Sequence, residues 1–157
     1  MRPGPARGTS IDETFVVTPD MTARIDGREI HPVYGTGALV ADIERLSRQI
    51  LEPHLEPGEE GVGARLEVLH RAPVAVGETV TLTATVATVG PTSLVCEVVG
   101  RHVGTIVARG SFEQRLVDLK TFRAETEARR GTPVPDGSQP SDPRPASSAA
   151  DGSTSDD

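Results

Sequence analysis

The feature that most constrains this chain is one amphipathic helix followed by strands that alternate polar and apolar residues. Residues 37–52 show a helical pattern, in which apolar side chains recur on one narrow stripe and polar side chains occupy the opposite arc. The stripe consists of Leu39, Ile43, Leu46 and Ile50. The polar arc consists of Asp42, Arg45, Arg48, Gln49 and Glu52. Thr36 is placed to cap this helix at its N-terminus, and Pro53 is expected to end it.

Four segments after the helix alternate with a period of two, which is typical of strands that bury one face. In the first segment, one face carries Ala64, Leu66, Val68 and His70. The other three segments lie within residues 79–89, 94–98 and 106–112. The turns between them are short and rich in Gly, which predicts an antiparallel meander.

Two stretches before the helix complete the element order. Residues 11–17 are short and β-prone, whereas residues 26–35, rich in Gly, Pro and His, are expected to form a loop. A helix with one apolar stripe and a sheet with one apolar face must cover each other. A strand, a helix and four antiparallel strands is the order of a hotdog fold. The sequence therefore predicts a single α+β hotdog domain, with an antiparallel sheet wrapped around one long central helix.

The composition of the C-terminus sets the boundary of this domain. From residue 131 onward the chain has five Pro, six Ser and five Asp, with one Val as the only large aliphatic residue. Such a stretch buries too little apolar surface to offset the entropy of ordering it. We expect a flexible N-terminus at residues 1–10, the hotdog domain at residues 11–129 and a disordered tail at residues 130–157.

Charge and cysteine usage exclude several classes of protein. The tail accounts for −4 of the net charge of −7, and the basic residues of the body are scattered, which argues against a nucleic-acid partner. The single cysteine, Cys96, rules out an intramolecular disulfide framework and is expected to be a small core residue. No Cys/His cluster suggests a metal site, and no apolar segment suggests a signal peptide or a membrane span. These features predict a cytoplasmic protein that holds no metal.

Three residues depart from a simple division into apolar interior and polar surface. His70 lies on the buried face of its strand, Glu44 lies at the border between the two faces of the helix, and Thr36 lies at the helix N-terminus. Each residue alone is most simply structural. Together they offer a base, a carboxylate and a hydroxyl beside backbone N–H groups that suit a developing oxyanion. Gly37, which has no side chain, would let a thioester carbonyl approach the helix end closely.

The same residues carry a resemblance to a known family. The segment from Tyr34 to Gly37 (YGTG), Glu44, the segment 55–58 (LEPG) and the strand 62–70 resemble the fluoroacetyl-CoA thioesterase group of hotdog enzymes. That group uses a Thr, a Glu eight residues later and a His 26 residues after the Glu. Thr36, Glu44 and His70 reproduce both intervals, and Gly63 matches a glycine of the family site.

The resemblance implies a homodimer whose active site lies at the subunit interface, with no metal and no cofactor beyond the coenzyme A of the substrate. His70 would be the general base, and Glu44 would either orient it or act directly as base or nucleophile. Thr36 would supply a hydroxyl, and Gly37 and Gly63 would line the carbonyl pocket. Attack by water and attack by a side chain both remain open.

The sequence departs from the family in its aromatic residues. The fluoroacetyl-specific enzyme has a gating Phe six residues before its Thr and a second aromatic residue just upstream. Ile30 and Gly27 occupy the corresponding places here, and Tyr34 is the nearest aromatic residue. We therefore expect Ile30 and Tyr34 to line the substrate pocket and the substrate to be another short or medium acyl-CoA, or an acyl-carrier thioester.

Three other functions are compatible with parts of the pattern. A hotdog hydratase or dehydratase usually has an Asp and a His a few residues apart, and only His31 precedes the helix here. A non-catalytic hotdog could bind acyl-CoA without turnover, although it would not need all three candidate residues. An interaction protein could act through its acidic tail, although such tails more often serve solubility.

Overall fold

The computed structural model describes residues 3–131, so the predicted tail lies outside the described residues from position 132 onward. Residues 3–131 contain seven strands and two α-helices. These are β1 (Ser10–Val16), β2 (Thr22–Ile25), β3 (Arg28–Tyr34), α1 (Thr36–Leu51), β4 (Glu59–His70), β5 (Thr79–Val89), β6 (Ser93–His102), β7 (Thr105–Asp118) and α2 (Leu119–Ala128). Short 3-10 turns precede β2 and follow α1. None of the helices within residues 3–131 combines the length and apolar character that crossing a membrane requires.

Five strands form one antiparallel sheet in the order β1-β5-β6-β7-β4. One face of this sheet packs against α1, and both contribute to a single apolar core. The sheet contributes the buried residues Val80, Leu82, Ala84, Val86, Leu94, Cys96, Val98, Ala108 and Phe112. The period-two pattern therefore predicted the correct face of the meander, and the predicted hotdog architecture is confirmed. Cys96 is fully buried, and this burial raises the pKa of its thiol to about 11.

Helix α1 buries the predicted stripe of Leu39, Ile43, Leu46 and Ile50. The assignment of Asp42 to the solvent arc was wrong, because this residue is only 8% exposed. Ser47, which flanks the apolar stripe on the opposite side from Asp42, is also fully buried. The helix therefore has a wider buried face than its apolar residues alone indicate.

The loop expected at residues 26–35 is instead a β-hairpin formed by β2 and β3. Its turn consists of Asp26 and Gly27, which both have positive φ angles, 50° and 78°. A two-residue turn with two left-handed residues matches the twist of a hairpin, and Asp-Gly is a favoured sequence for it. The prediction was wrong because it rested on the Gly, Pro and His content of the segment and did not use the Asp-Gly turn signal.

Strand β4 begins at Glu59, earlier than the alternation predicted, and forms one edge of the sheet. It pairs with β7 along its whole length, with an irregularity between Gly63 and Arg65. Leu66, Val68 and His70 are only partly buried within the chain. Its other edge has no strand partner among residues 3–131.

Candidate active site

Helix α1 starts directly behind the β2–β3 hairpin. Gly35 is its N-cap residue and donates its backbone N–H to the carbonyl of Met21 at 2.8 Å. A Cβ atom at Gly35 would lie 2.9 Å from the backbone N and Cα of Ala23, so glycine is required where hairpin and helix meet. The prediction that Thr36 caps the helix was wrong, because Thr36 is its first residue. Its hydroxyl is therefore available for another partner.

That partner is His70, the last residue of β4. Thr36 Oγ1 and His70 Nδ1 are 3.0 Å apart and share a hydrogen bond. Burial lowers the pKa of the imidazole below the ordinary 6.5 of histidine and so favours its neutral form. A neutral His70 with its proton on Nε2 can accept the proton of the Thr36 hydroxyl through Nδ1.

Glu44 and Gly63 form a second pair. Glu44 Oε1 lies 3.4 Å from the place that a Cβ atom on Gly63 would occupy, beside the ring of Phe112. Glu44 is exposed, and none of the hydrogen bonds or ion pairs described for residues 3–131 links it to His70 or Thr36. Eight residues of helix separate Thr36 from Glu44, a rise of about 12 Å. A single chain therefore arranges these predicted site residues as two pairs, Thr36 with His70 and Glu44 with Gly63, rather than as one catalytic triad.

Two clefts meet at the start of α1, on either side of the hairpin. One cleft, of about 300 Å³, is lined by Tyr34, Thr36 and His70, together with Arg71. The other, of about 450 Å³, is lined by Ile30, Thr36 and Gly37. Both clefts share Ala23, His31, Gly35 and Thr36. The predicted binding residues Tyr34, Ile30 and Gly37 thus lie around Thr36, whereas Gly63 lies beside Glu44.

A polar network behind the site runs from the buried core to the protein surface. The Tyr34 hydroxyl donates to Asp42 Oδ2 at 2.6 Å, and Arg45 donates to Asp42 Oδ1 at 3.2 Å and to Glu13 at 2.6 Å. Burial and the neighbouring carboxylate of Asp42 raise the pKa of Tyr34 far above its ordinary value. Sequence reasoning missed Asp42. The available signal was a Tyr just before the helix and an Asp in its second turn, on the side next to the apolar stripe.

The fold and the site define a hotdog-fold enzyme of the thioesterase class. The model of the fluoroacetyl-CoA-specific thioesterase family matches residues 17–120, and this chain belongs to that family. It is 30% identical over 140 residues to the fluoroacetyl-CoA thioesterase of Streptantibioticus cattleyicolor, covering 85% of this chain and 99% of that protein.

Solved structures show the same relationship. A thioesterase superfamily member from Thermus thermophilus superposes with a TM-score of 0.76 at 32% identity, covering 82% of this chain and 94% of the other. The fluoroacetyl-CoA thioesterase FlK superposes with a TM-score of 0.73 at 29% identity, covering 83% of this chain and 99% of the other. The resemblance inferred from the spacing of Thr36, Glu44 and His70 is therefore confirmed at the level of the family.

Proposed function

We propose that this protein hydrolyses short or medium acyl-CoA thioesters, or the equivalent thioesters of an acyl carrier. The observation that carries the proposal is the hydrogen bond between Thr36 and His70 at the N-terminus of α1. It places a hydroxyl and a base beside the unpaired N–H groups of a helix start, where a thioester carbonyl oxygen would be stabilised as it becomes negative. Two of the relatives named above are fluoroacetyl-CoA thioesterases, and they support this chemistry.

The reaction needs only this chain's side chains and water, with no metal and no cofactor. His70 removes a proton from the attacking hydroxyl, either that of Thr36 or that of a water molecule. The oxygen forms a bond to the carbonyl carbon, the C–S bond breaks, and the thiolate takes the proton from His70. If Thr36 attacks, water then hydrolyses the acyl ester by the same steps. The products are a carboxylic acid and free coenzyme A.

The two clefts suit a substrate that extends in two directions from its reacting carbon. Thr36 lines both, so a carbonyl held there could direct its acyl group into one cleft and its thiol arm into the other. Ile30 lines the larger cleft at a place where the fluoroacetyl-specific enzymes are expected to have a gating Phe. The proposal therefore includes no preference for fluoroacetyl-CoA over acetyl-CoA.

A second copy of the chain would complete the site. The free edge of β4 offers twelve residues for antiparallel pairing with β4 of a partner subunit. A two-fold axis at Glu67 would set the irregularity at Gly63 and Ala64 of the partner subunit opposite His70, because residues 64 and 70 lie equally far from Glu67. Since Glu44 lies beside Gly63, this dimer would bring a carboxylate to each Thr36–His70 pair.

The role of Glu44 in this dimer follows from the surroundings of His70. His70 Nε2 is already covered by its own chain and has no hydrogen-bond partner among residues 3–131. Its Nδ1 is bonded to Thr36. A carboxylate of the partner subunit would therefore contact the water or the thioester rather than the imidazole, so we assign Glu44 a direct part in the reaction.

We also place the enzyme in the cytoplasm, where acyl-CoA thioesters are metabolised.

A thiol-release assay on the purified protein tests the proposal. The substrate panel contains acetyl-, fluoroacetyl-, butyryl-, hexanoyl- and octanoyl-CoA, and the same acyl groups on an acyl carrier protein. Hydrolysis of at least one thioester, lost in His70→Ala, supports the proposal. Binding without release of thiol would favour the non-catalytic acyl-CoA-binding function and would refute it, as would full activity of His70→Ala.

A further inference from the structure

We propose that Tyr34 and Asp42 form a positioning pair that fixes the imidazole of His70 for proton transfer. The inference rests on the proposed thioesterase function and adds two residues that the predicted triad does not contain. Neither residue is expected to touch the reacting atoms, because Asp42 is buried behind Tyr34 and the Tyr34 hydroxyl is already engaged by Asp42.

Tyr34 is held at both ends. Its backbone N–H donates to the carbonyl of Val74 at 2.8 Å, and its hydroxyl donates to Asp42 Oδ2 at 2.6 Å. The side chain is only 1% exposed. A ring fixed at its backbone and at its far end has little freedom to rotate or tilt.

This fixed ring packs against the candidate base. The ring centroids of Tyr34 and His70 are 6.2 Å apart, and the rings are inclined by 74° in a T-shaped arrangement. In many enzymes a hydrogen bond to the second nitrogen orients a catalytic imidazole. His70 Nε2 has no such bond among residues 3–131. The orientation of His70 therefore depends on Thr36 at Nδ1 and on the packing of Tyr34.

A gain in folding stability alone does not explain why Tyr34 and Asp42 are buried as a hydrogen-bonded pair. Burying a carboxylate is costly, and replacing buried polar partners by apolar residues of similar size is often neutral or stabilising. Asp42 satisfies both its oxygens, one through Tyr34 and one through Arg45. What an apolar pair would lose is the directional bond that fixes the Tyr34 ring.

Kinetics of matched variants test the inference. Tyr34→Phe keeps the ring and removes the hydroxyl, and we expect kcat to fall about tenfold with KM nearly unchanged, because misorientation acts on the chemical step. Asp42→Asn keeps an oxygen that accepts from Tyr34 and should retain more of kcat than Asp42→Ala. The double variant Tyr34→Phe with Asp42→Leu leaves no unpaired carboxylate in the core. It should fold stably and still show the low kcat.

A packing control separates positioning from loss of stability. Phe15 also contacts Tyr34, with ring centroids 5.7 Å apart. Phe15→Leu should lower the melting temperature and leave kcat near the wild-type value. If the double variant keeps wild-type kcat, or if Phe15→Leu loses as much kcat as Tyr34→Phe, the pair has no positioning role.

An NMR titration tests the inference without any substrate. His31 and Arg71 line the same cleft as His70, and Asp42 with its partner Arg45 lies behind Tyr34. Tyr34→Leu removes the ring and should raise the pKa of His70 toward 6.5, whereas Tyr34→Phe should leave it low. The His70 signal is assigned by its loss in His70→Gln. If no thioester is hydrolysed but this pattern appears, the proposed function fails and the packing inference stands; an unchanged His70 pKa in Tyr34→Leu overturns the inference.

Discussion

The Oγ1 atom of Thr36 and the Nδ1 atom of His70 are 3.0 Å apart, although the residues are 34 positions apart in the chain. The contact joins the first residue of α1 to the last residue of β4. It depends on Gly35, which lets the hairpin lie against the helix start and leaves the Thr36 hydroxyl unused by capping. The fold thereby places a hydroxyl at the start of the helix within hydrogen-bond distance of an imidazole at the end of the strand.

The first prediction separates the Thr36 hydroxyl from the rest of the side chain. Thr36→Ala removes the hydrogen bond to His70, and we expect kcat/KM to fall about 100-fold or more, the scale of one lost acid–base or nucleophilic partner. Thr36→Ser keeps the hydroxyl and should lose far less. Steady-state kinetics on the best acyl-CoA of the panel measures both. Equal losses in the two variants would contradict a chemical role for the hydroxyl.

The second prediction concerns pH. Only neutral His70 can act as a base, and burial lowers its pKa below 6.5. We therefore expect kcat/KM to stay high at pH 6.5 and to decrease only at the lower pH at which His70 becomes protonated. The free energy of unfolding should change with pH in the same direction. The unfolded chain, in which His70 has its ordinary pKa, binds the proton more readily, so His70 makes the folded state less stable as the pH falls below 6.5. His54→Gln is the control, because His54 Nδ1 contacts Pro3 away from the site. An acid limb centred well above pH 6.5 would contradict this environment for His70.

The main secondary structure was predictable because periodicity records burial. The stripe of α1 and the alternation in β5 and β6 follow directly from covering one helix with one sheet. The β2–β3 hairpin was missed because its strands are short and irregularly paired, so they show no clear alternation. The helix start was misplaced by one residue because Gly35 and Thr36 are both acceptable N-cap residues.

The site was only partly predictable for a different reason. The intervals between Thr36, Glu44 and His70 selected these residues as candidates, but spacing along the chain does not say which side chains meet. Asp42 looked like a solvent-facing residue because its burial depends on Tyr34, which comes from another element. Such a tertiary pairing leaves no periodic signal on the helix itself.

The third prediction uses Gly37 to separate stability from catalysis. A Cβ atom there would meet nothing within 4 Å, and alanine is the better helix former, so Gly37→Ala should raise the stability by up to about 1 kcal/mol. If the thioester carbonyl approaches this point of the larger cleft, the same methyl group should lower kcat/KM. Thermal unfolding and kinetics on one preparation measure both effects. A variant that is more stable and fully active would remove Gly37 from the carbonyl pocket.

The last prediction tests whether the two pairs of residues meet across a dimer. Glu44→Gln and His70→Ala should each be nearly inactive, and each homodimer would carry the same defect in both sites. In a mixed dimer, one site combines both substitutions and the other has neither, provided that Glu44 serves the His70 of its partner. A refolded 1:1 mixture should then recover about a quarter of wild-type activity, because about half of the dimers are mixed and each has one intact site.

If Glu44 and His70 acted within one chain, every site in the mixture would still carry one defect and no activity would return. Size-exclusion chromatography with light scattering supplies the control, since a monomeric protein with full activity would contradict a site shared between subunits.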